Sequence, residues 1–343
     1  MPPLYLNACS HGLPSSATLQ RMADHLAREI AVGPIQARTE ARDEIAKARA
    51  DVARVLNAKA GTGIGTGTAQ LWSRIVGQTL RPKGRVLISA YEWGDHVRFL
   101  RAAATRIGCG LDVVPAGEAA DPAAWAARLD GDVVAICVPQ ITSIEGRAFP
   151  VGALAALPRP DDALLVVDAA QGVGRVAGTG LAGADAVVAT TRKWLRAPRQ
   201  TAIFALSARA ERGLGLSVAD LEGTDGNAAL RLGQGVALAE ALALGLDAIQ
   251  AGIGVLDRRL RDGLRHLDVL PAHTVGTVTL RVPRDRRDRV DGRLRKAGIV
   301  AKWSDPAREE PLSPGFGTDG VLRLSPHLYN GPEEIDAVLA ALG

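Results

Sequence analysis

Lys193 stands 25 residues after Asp168, and each residue closes an apolar run. Leu164-Leu165-Val166-Val167 leads into the aspartate, and Ala184-Asp185-Ala186-Val187-Val188-Ala189 leads towards Thr190-Thr191-Arg192-Lys193-Trp194. A lysine amine can hold an aldehyde cofactor as a Schiff base. An aspartate set against a pyridine nitrogen keeps that nitrogen protonated, so the ring can take up electrons from a substrate carbanion. Read together, the pair describes a pyridoxal phosphate site. Read singly, each residue is simpler: a surface lysine after one buried strand, an aspartate capping another. The spacing and the partner residues below favour the site.

Gly61-Thr-Gly-Ile-Gly-Thr-Gly-Thr68 precedes a helical pattern that begins near Ala69. Glycines there let backbone N–H groups approach an anion, and a helix N-terminus favours phosphate. The stretch fits neither a dinucleotide fingerprint nor a P-loop. A plain glycine-rich turn, with Thr68 as no more than an N-cap, accounts for it equally well. Trp93, in Ser89-Ala-Tyr-Glu-Trp-Gly-Asp95, ends a strand; it is either a stacking face for a flat ring or a core tryptophan. Open α/β sheets bind ligands at the carboxyl ends of their strands. Trp93, Ser143, Asp168, Gln171 and Lys193 all fall near or just after predicted strand ends, and Thr68 precedes that strand set. One crevice can therefore collect them. His11 follows Asn7-Ala8-Cys9-Ser10, and His327 lies in Leu322-Arg-Leu-Ser-Pro-His-Leu-Tyr-Asn330; by pattern these histidines are nearest the site. A lone histidine is more often a surface or capping residue than a substrate contact.

The elements needed to position these groups are legible. Val86–Ala90, Leu111–Pro115, Val133–Val138, Leu164–Asp168, Ala186–Thr190 and Ala202–Leu206 read as buried strands. Segments of helical periodicity, such as His96–Ile107 and Pro122–Leu129, lie between several of them. This alternation predicts an α/β fold with a mostly parallel sheet covered on both faces. A long helical zone, 227–266, is expected to break near Gly252-Ile-Gly254. A smaller mixed unit follows: strand Val275–Val282, helix Arg287–Ala297, strands Ile299–Trp303 and Val321–Ser325, helix Pro332–Leu342. The expected division is a large domain over 1–245, including the N-terminal segment, and a small C-terminal α+β domain over 246–343.

At 343 residues the chain is long enough for two such units, and 47% hydrophobic residues with 23% charged make it globular rather than disordered. The net charge of +4 is spread, and the densest basic run, Arg281–Arg295, is interleaved with Asp285, Asp288 and Asp291. That is a solvated helix face, and it argues against a nucleic-acid partner. Cys9, Cys109 and Cys137 have no metal-binding spacing. No apolar stretch is long enough to span a bilayer, and no basic-then-apolar leader opens the chain. The expectation is a soluble, cytoplasmic protein without a membrane or metal requirement.

These residues resemble the class V aminotransferases, the cysteine desulfurase-like branch of fold-type I pyridoxal phosphate enzymes, over nearly the whole length. The Asp168-x-x-Gln171 pair followed by Lys193 is the specific part of the match. By resemblance, Asp168 pairs with the ring nitrogen, Gln171 bonds the ring hydroxyl, and Lys193 carries the cofactor and moves the proton. Trp93 takes the place of the ring-stacking aromatic. Gly67 and Thr68 look like the phosphate loop, with Thr190 and Arg192 serving the phosphate as well. Gly223-Thr224 resembles the pair that reaches the partner subunit's phosphate in a homodimer. Arg323 looks like the arginine that grips the substrate α-carboxylate through a bidentate fork. His11 lies in a loop that approaches the substrate in relatives. Ser143 stands where many relatives have asparagine, and Gln200 where they have glycine.

Within the family, Arg192-Lys193-Trp194-Leu195 followed by Ala197-Pro198-Arg199 is most similar to hercynylcysteine sulfoxide lyases and isopenicillin N epimerase-like proteins. No cysteine falls in the loop before Arg323, where desulfurases carry their sulfur-accepting thiol. The resemblance implies an enzyme acting on an α-amino acid, with Cβ–S cleavage of a cysteine conjugate or sulfoxide as the first reading. Transamination or epimerisation is the alternative. A non-catalytic scaffold sits poorly with intact Lys193, Asp168 and Gln171.

Overall fold

The computed structural model describes residues 3–58, 61–176, 181 and 183–343. Among these, the strands are β1 (Leu4–Tyr5), β2 (Gly61–Gly65), β3 (Arg85–Ser89), β4 (Gly110–Val114), β5 (Val133–Pro139), β6 (Leu164–Asp168), β7 (Ala186–Thr190), β8 (Ala202–Leu206), β9 (Val278–Val282), β10 (Ile299–Val300), β11 (Lys302–Ser304) and β12 (Gly320–Leu324). One sheet takes seven of them in the order β2-β8-β7-β6-β5-β3-β4. Strands β3 to β7 run parallel to their neighbours in that set, and β8 runs antiparallel to both β7 and β2.

The sequence dictates this sheet. Strands β5 to β8 read VVAICVP, LLVVD, AVVAT and AIFAL, and every residue of them is buried. A strand with apolar residues on both sides needs cover on both sides. Leu87, Ile136, Val138, Leu165 and Val167 point to one face, where helices Arg42–Leu56 and Ala228–Leu244 pack. Val86, Ile88, Ala135, Cys137, Leu164 and Val166 point to the other, against helices Thr68–Thr79 and Gly94–Ile107. Truncating one of these leucines to alanine would cost about 2–5 kcal/mol in transfer and cavity terms.

The second unit is an antiparallel sheet, β11-β12-β9, with its own core of Leu256, Leu260, Val278, Leu280, Leu322, Leu324, Ile335 and Val338. The N-terminus belongs to this packing as much as to the large sheet. Strand β1 pairs in parallel with β10, and Ala8 N–H donates to the Ser325 carbonyl at 3.1 Å. The chain then crosses to the large sheet, where Gly12 N–H donates to the Arg192 carbonyl at 2.8 Å. Residues 4–12 therefore bridge the strand bearing Arg323 to the loop bearing Lys193.

The structure revises four expectations. Gly61 to Gly65 is not a phosphate loop but the edge strand β2; only Thr66 and Gly67 remain between it and the helix. Its glycines are there for close packing, since a Cβ on Gly63 would sit 2.5 Å from Phe204 Cζ and one on Gly65 2.6 Å from Leu71 Cδ1. The long helical zone breaks at Gly245, not at Gly252-Ile-Gly254, which lies inside helix Leu246–Leu264. Gly245 has φ +84°, and the two helices meet at 81°. Glycine inside a helix is tolerated, whereas a left-handed junction favours it strongly. The strand expected at Val275–Val282 shortens to β9, and Ile299–Trp303 divides into β10 and β11 with different partners. Among the described residues no single helix is long and apolar enough to cross a membrane.

Gly245→Ala isolates the backbone term. An added Cβ meets nothing closer than Ala248 Cβ at 4.0 Å, so the cost is conformational, on the order of 1–3 kcal/mol. The urea midpoint should fall while the denaturant slope stays constant. An unchanged midpoint would contradict this reading of the junction.

Candidate active site

The carboxyl ends of β5, β6 and β7 open with helix Thr68–Thr79, the N-terminal strap and β12 onto one cavity of about 880 Å³. Its wall includes His11, Gly67, Thr68, Trp93, Ser143, Asp168, Gln171, Thr190, Arg192, Lys193 and Arg323. Residues from both ends of the chain thus converge as a parallel sheet requires. Thr224 is the exception: it is exposed, stands outside the lining, and its carbonyl accepts from Arg38 Nη2 at 2.8 Å.

Asp168, the last residue of β6, is 8% exposed. Its Oδ1 accepts the Ala170 N–H at 2.8 Å, which orients the carboxylate. Gln171 is fixed at both ends of its amide. Nε2 donates to the Cys9 carbonyl at 3.1 Å and reaches Ser143 Oγ at 3.4 Å, while Oε1 accepts from Trp194 Nε1 at 3.1 Å. Lys193 follows β7, next to β6 in the sheet. The residue keeps some exposure, but its amine end is surrounded by protein. Burial first, and then the neighbouring Arg192, push its pKa from the ordinary 10.5 down to about 8.

Unpaired donors stand among the residues that line the cavity. The helix that starts at Thr68 has Gly67 as N-cap with no side-chain hydrogen bond, so its first N–H groups lack the usual partner. Thr68 Oγ1 and Arg192 Nε are buried without a partner, and Arg192 Nη1 is steadied by Thr190 Oγ1 at 2.7 Å. Buried orphan donors are costly. An uncapped helix N-terminus with Thr68 Oγ1 free, and Arg192 in the same cavity wall, suit a phosphate. Trp93 sits above as N-cap of helix Gly94–Ile107, with Nε1 donating to Asp95 Oδ2 at 3.2 Å.

Arg323, on β12, is 2% exposed. Its Nη1 donates to the Ser143 carbonyl at 2.5 Å and to Ser143 Oγ at 3.0 Å, and Nη2 donates to Glu309 Oε2 at 2.9 Å. Its Nε is buried with no partner. Lys302 Nζ stands 3.4 Å from the other oxygen of Glu309. Next in sequence, Glu310 accepts the Ile144 N–H at 2.9 Å, and burial raises its pKa to about 8. These neighbouring acids fasten the segment after β11 to the loop that carries Ser143.

His11 is held neutral, its pKa pushed to about 4 by burial and then by Arg192 and Arg199, and its Nδ1 has no partner. His327 has both ring nitrogens engaged by backbone: Nδ1 accepts the Leu328 N–H at 2.9 Å, and Nε2 lies 3.0 Å from the Trp194 carbonyl. It braces the lysine loop from behind. Gln200 has φ +60°, a conformation suited to glycine, so the departure noted in the sequence carries local backbone strain. Glu309 and Lys302 were missed because the sequence offers no spacing that ties them to Arg323. Glu92 and His96 were missed too, although their i, i+4 separation beside Trp93 was a usable signal.

The cavity lies at the strand ends of a fold-type I scaffold, and its donor set fits a phosphorylated pyridine aldehyde. The sequence model of the class-V aminotransferase family matches residues 15–211, and the chain belongs to that family, whose cofactor is pyridoxal phosphate. It is 29% identical, over 99% of its length and 89% of the other's, to a probable hercynylcysteine sulfoxide lyase of Mycobacterium tuberculosis (strain CDC 1551 / Oshkosh). The fold is similar to that of a cysteine desulfurase from Thermococcus onnurineus NA1, with a TM-score of 0.85, 18% identity and coverage of 99% of this chain and 94% of that one. It is also similar to the cystine C–S lyase C-DES in complex with its product cysteine persulfide, with a TM-score of 0.85, 17% identity and coverage of 99% and 97%.

The lowered lysine pKa has a kinetic signature. Only the neutral amine attacks an aldehyde, and at pH 7 a pKa near 8 leaves about a tenth of it neutral, against well under a thousandth for a free lysine. The rate at which apoprotein takes up pyridoxal phosphate should rise with pH and level off above about 8. In Arg192→Gln the midpoint should move upwards, because a repelling cation is gone. A rate still climbing towards pH 10 in the parent protein would contradict the geometry.

Proposed function

We propose that the protein is a pyridoxal phosphate-dependent lyase that breaks the Cβ–S bond of a cysteine conjugate or its sulfoxide. The observation that carries the amino-acid part is Arg323, buried in the cavity wall with Nε left unpartnered. A substrate carboxylate would take Nε and draw Nη2 from Glu309, which has Lys302 to fall back on at 3.4 Å. A planar guanidinium suits that two-point grip.

Three features support cleavage at sulfur. The mycobacterial relative carries a sulfoxide lyase name and aligns with almost the whole chain. The loop between β11 and Arg323 contains no cysteine to accept sulfur. A cavity of about 880 Å³ leaves room for a bulky S-substituent beside the cofactor.

Pyridoxal phosphate, when bound, supplies an electron sink conjugated with the substrate α-carbon. Asp168 would hold the ring nitrogen's proton, Gln171 would serve the ring hydroxyl and Trp93 would stack on the ring, while Gly67, Thr68, Thr190 and Arg192 would hold the phosphate. Lys193 Nζ would take the proton from the substrate Cα, and the sulfur substituent would leave Cβ with the bonding electron pair, so that the remaining three-carbon fragment, with water, would end as pyruvate and ammonia. His11, neutral and facing the same space, contacts the distal part of the substrate. We infer a two-fold homodimer in which Thr224 serves the partner's phosphate site. Thr224 is exposed, and Leu19, Leu26, Ile30 and Ile35 form an exposed apolar set on the N-terminal helices.

S-substituted cysteines and their sulfoxides should yield pyruvate and ammonia in equal amounts with no keto acid added. Arg323→Lys should raise KM about tenfold or more and change kcat less, because a carboxylate grip is shared by ground and transition states. Strict dependence on a keto acid, with nitrogen recovered in a new amino acid, would replace the lyase reading by transamination. Loss of α-stereochemistry without bond cleavage would replace it by epimerisation.

A further inference from the structure

Behind Asp168 lies a buried acid–histidine pair with no part in the contacts described so far. Glu92 is 0% and His96 1% exposed. His96 Nδ1 sits 2.8 Å from Glu92 Oε1 and 4.0 Å from Asp168 Oδ2, the oxygen left over once Oδ1 has accepted the Ala170 N–H. Glu92 Oε1 also accepts the Trp93 N–H at 3.1 Å. The pair thus touches the backbone of the aromatic residue and faces the carboxylate assigned to the ring nitrogen.

The surroundings decide its charge state. Two carboxylates face one imidazole nitrogen, Glu92 and His96 buried and Asp168 at the cavity wall. The Trp72 indole stacks on the imidazole with centroids 4.0 Å apart and planes 1° from parallel, an arrangement that favours a cation. From β5, Cys137 faces Glu92 and stays a neutral thiol, its pKa raised by burial and then by Glu92. On the cavity side, Lys193 and Arg192 are the cations in the field of Asp168. Two carboxylates against one imidazole make a proton on His96 the arrangement that eases burying both.

We propose that His96 is an imidazolium held between Glu92 and Asp168, and that this pair keeps Asp168 anionic and aimed at the cofactor's ring nitrogen. His96 is a positioning residue: it acts on the ring through Asp168. The inference rests on the assignment of Asp168 to the ring nitrogen, so the test carries a control for that assignment.

His96→Asn, Glu92→Gln and Asp168→Asn are purified with cofactor. The bound chromophore is titrated by absorbance, and exchange of a bound amino acid's α-proton into heavy water is followed by NMR. A ring that loses its nitrogen proton holds the proton on its Lys193 linkage more tightly, so the titration midpoint rises. Asp168→Asn should raise it most. His96→Asn should raise it by about one unit and slow exchange about tenfold, with KM within about threefold. The His96→Asn/Glu92→Gln double variant should be no worse than His96→Asn, because the pair acts as a unit. Glu92→Gln is nearly isosteric and keeps an acceptor for the Trp93 N–H, so it serves if His96→Asn does not fold. If Asp168→Asn moves the midpoint and neither pair variant does, the proposal is overturned even where melting temperature or cofactor retention falls. If Asp168→Asn leaves the midpoint unmoved, the assignment beneath it fails and the proposal falls with it.

Discussion

An aspartate carboxylate ends one strand and a lysine amine lies three residues beyond the end of its parallel neighbour, in a region closed to most water. Burial alone would push the amine towards neutrality, and Arg192 pushes it further, down to about 8. An amine in that range can both form a bond to an aldehyde and carry a proton. Asp168 moderates the effect, since an anion nearby favours the charged amine. The rest of the site can be understood as the arrangement needed to keep that opposition in place. The parallel sheet sets the spacing. Helix Thr68–Thr79 turns its uncapped N-terminus into the cavity, and the N-terminal strap crosses from β12 to the lysine loop.

The cavity wall is built from different parts of the chain. The phosphate-type donors come from the large sheet and its first covering helix. Arg323, the proposed carboxylate grip, comes from β12, more than a hundred residues after Lys193, where residues 302–313 and the Ser143 loop are fastened together. Glu309 takes Arg323 Nη2, Glu310 takes the Ile144 N–H, and Arg323 Nη1 takes the Ser143 carbonyl. Loosening any of these contacts would shift the guanidinium relative to the lysine. Small misplacements at a remote grip translate into large losses at the reacting centre.

The buried strands were legible because runs such as LLVVD and AVVAT are short, apolar and bounded by polar residues. The crevice was legible because strand ends in such a sheet share one edge. Gly61–Gly65 misled, since glycine marks both a phosphate loop and a strand packed tightly under Phe204, and local sequence does not separate the two. Gly245 and Gly252 look alike in sequence; only the φ each must adopt tells which one breaks the helix. Glu309 and Lys302 reach Arg323 only through tertiary contacts, and nothing in local spacing announces them, whereas the i, i+4 spacing of Glu92 and His96 was there to be read. The family match agrees with the expected fold and cofactor.

The central claim is that Lys193 is the covalent anchor of the cofactor. Protein purified with pyridoxal phosphate is reduced with borohydride, digested and mapped by mass spectrometry. The visible band should vanish, and the added pyridoxyl mass should sit on the peptide containing Lys193 and be absent from Lys193→Ala treated in the same way. A label on another lysine, or no reducible band after reconstitution with cofactor, would contradict the account.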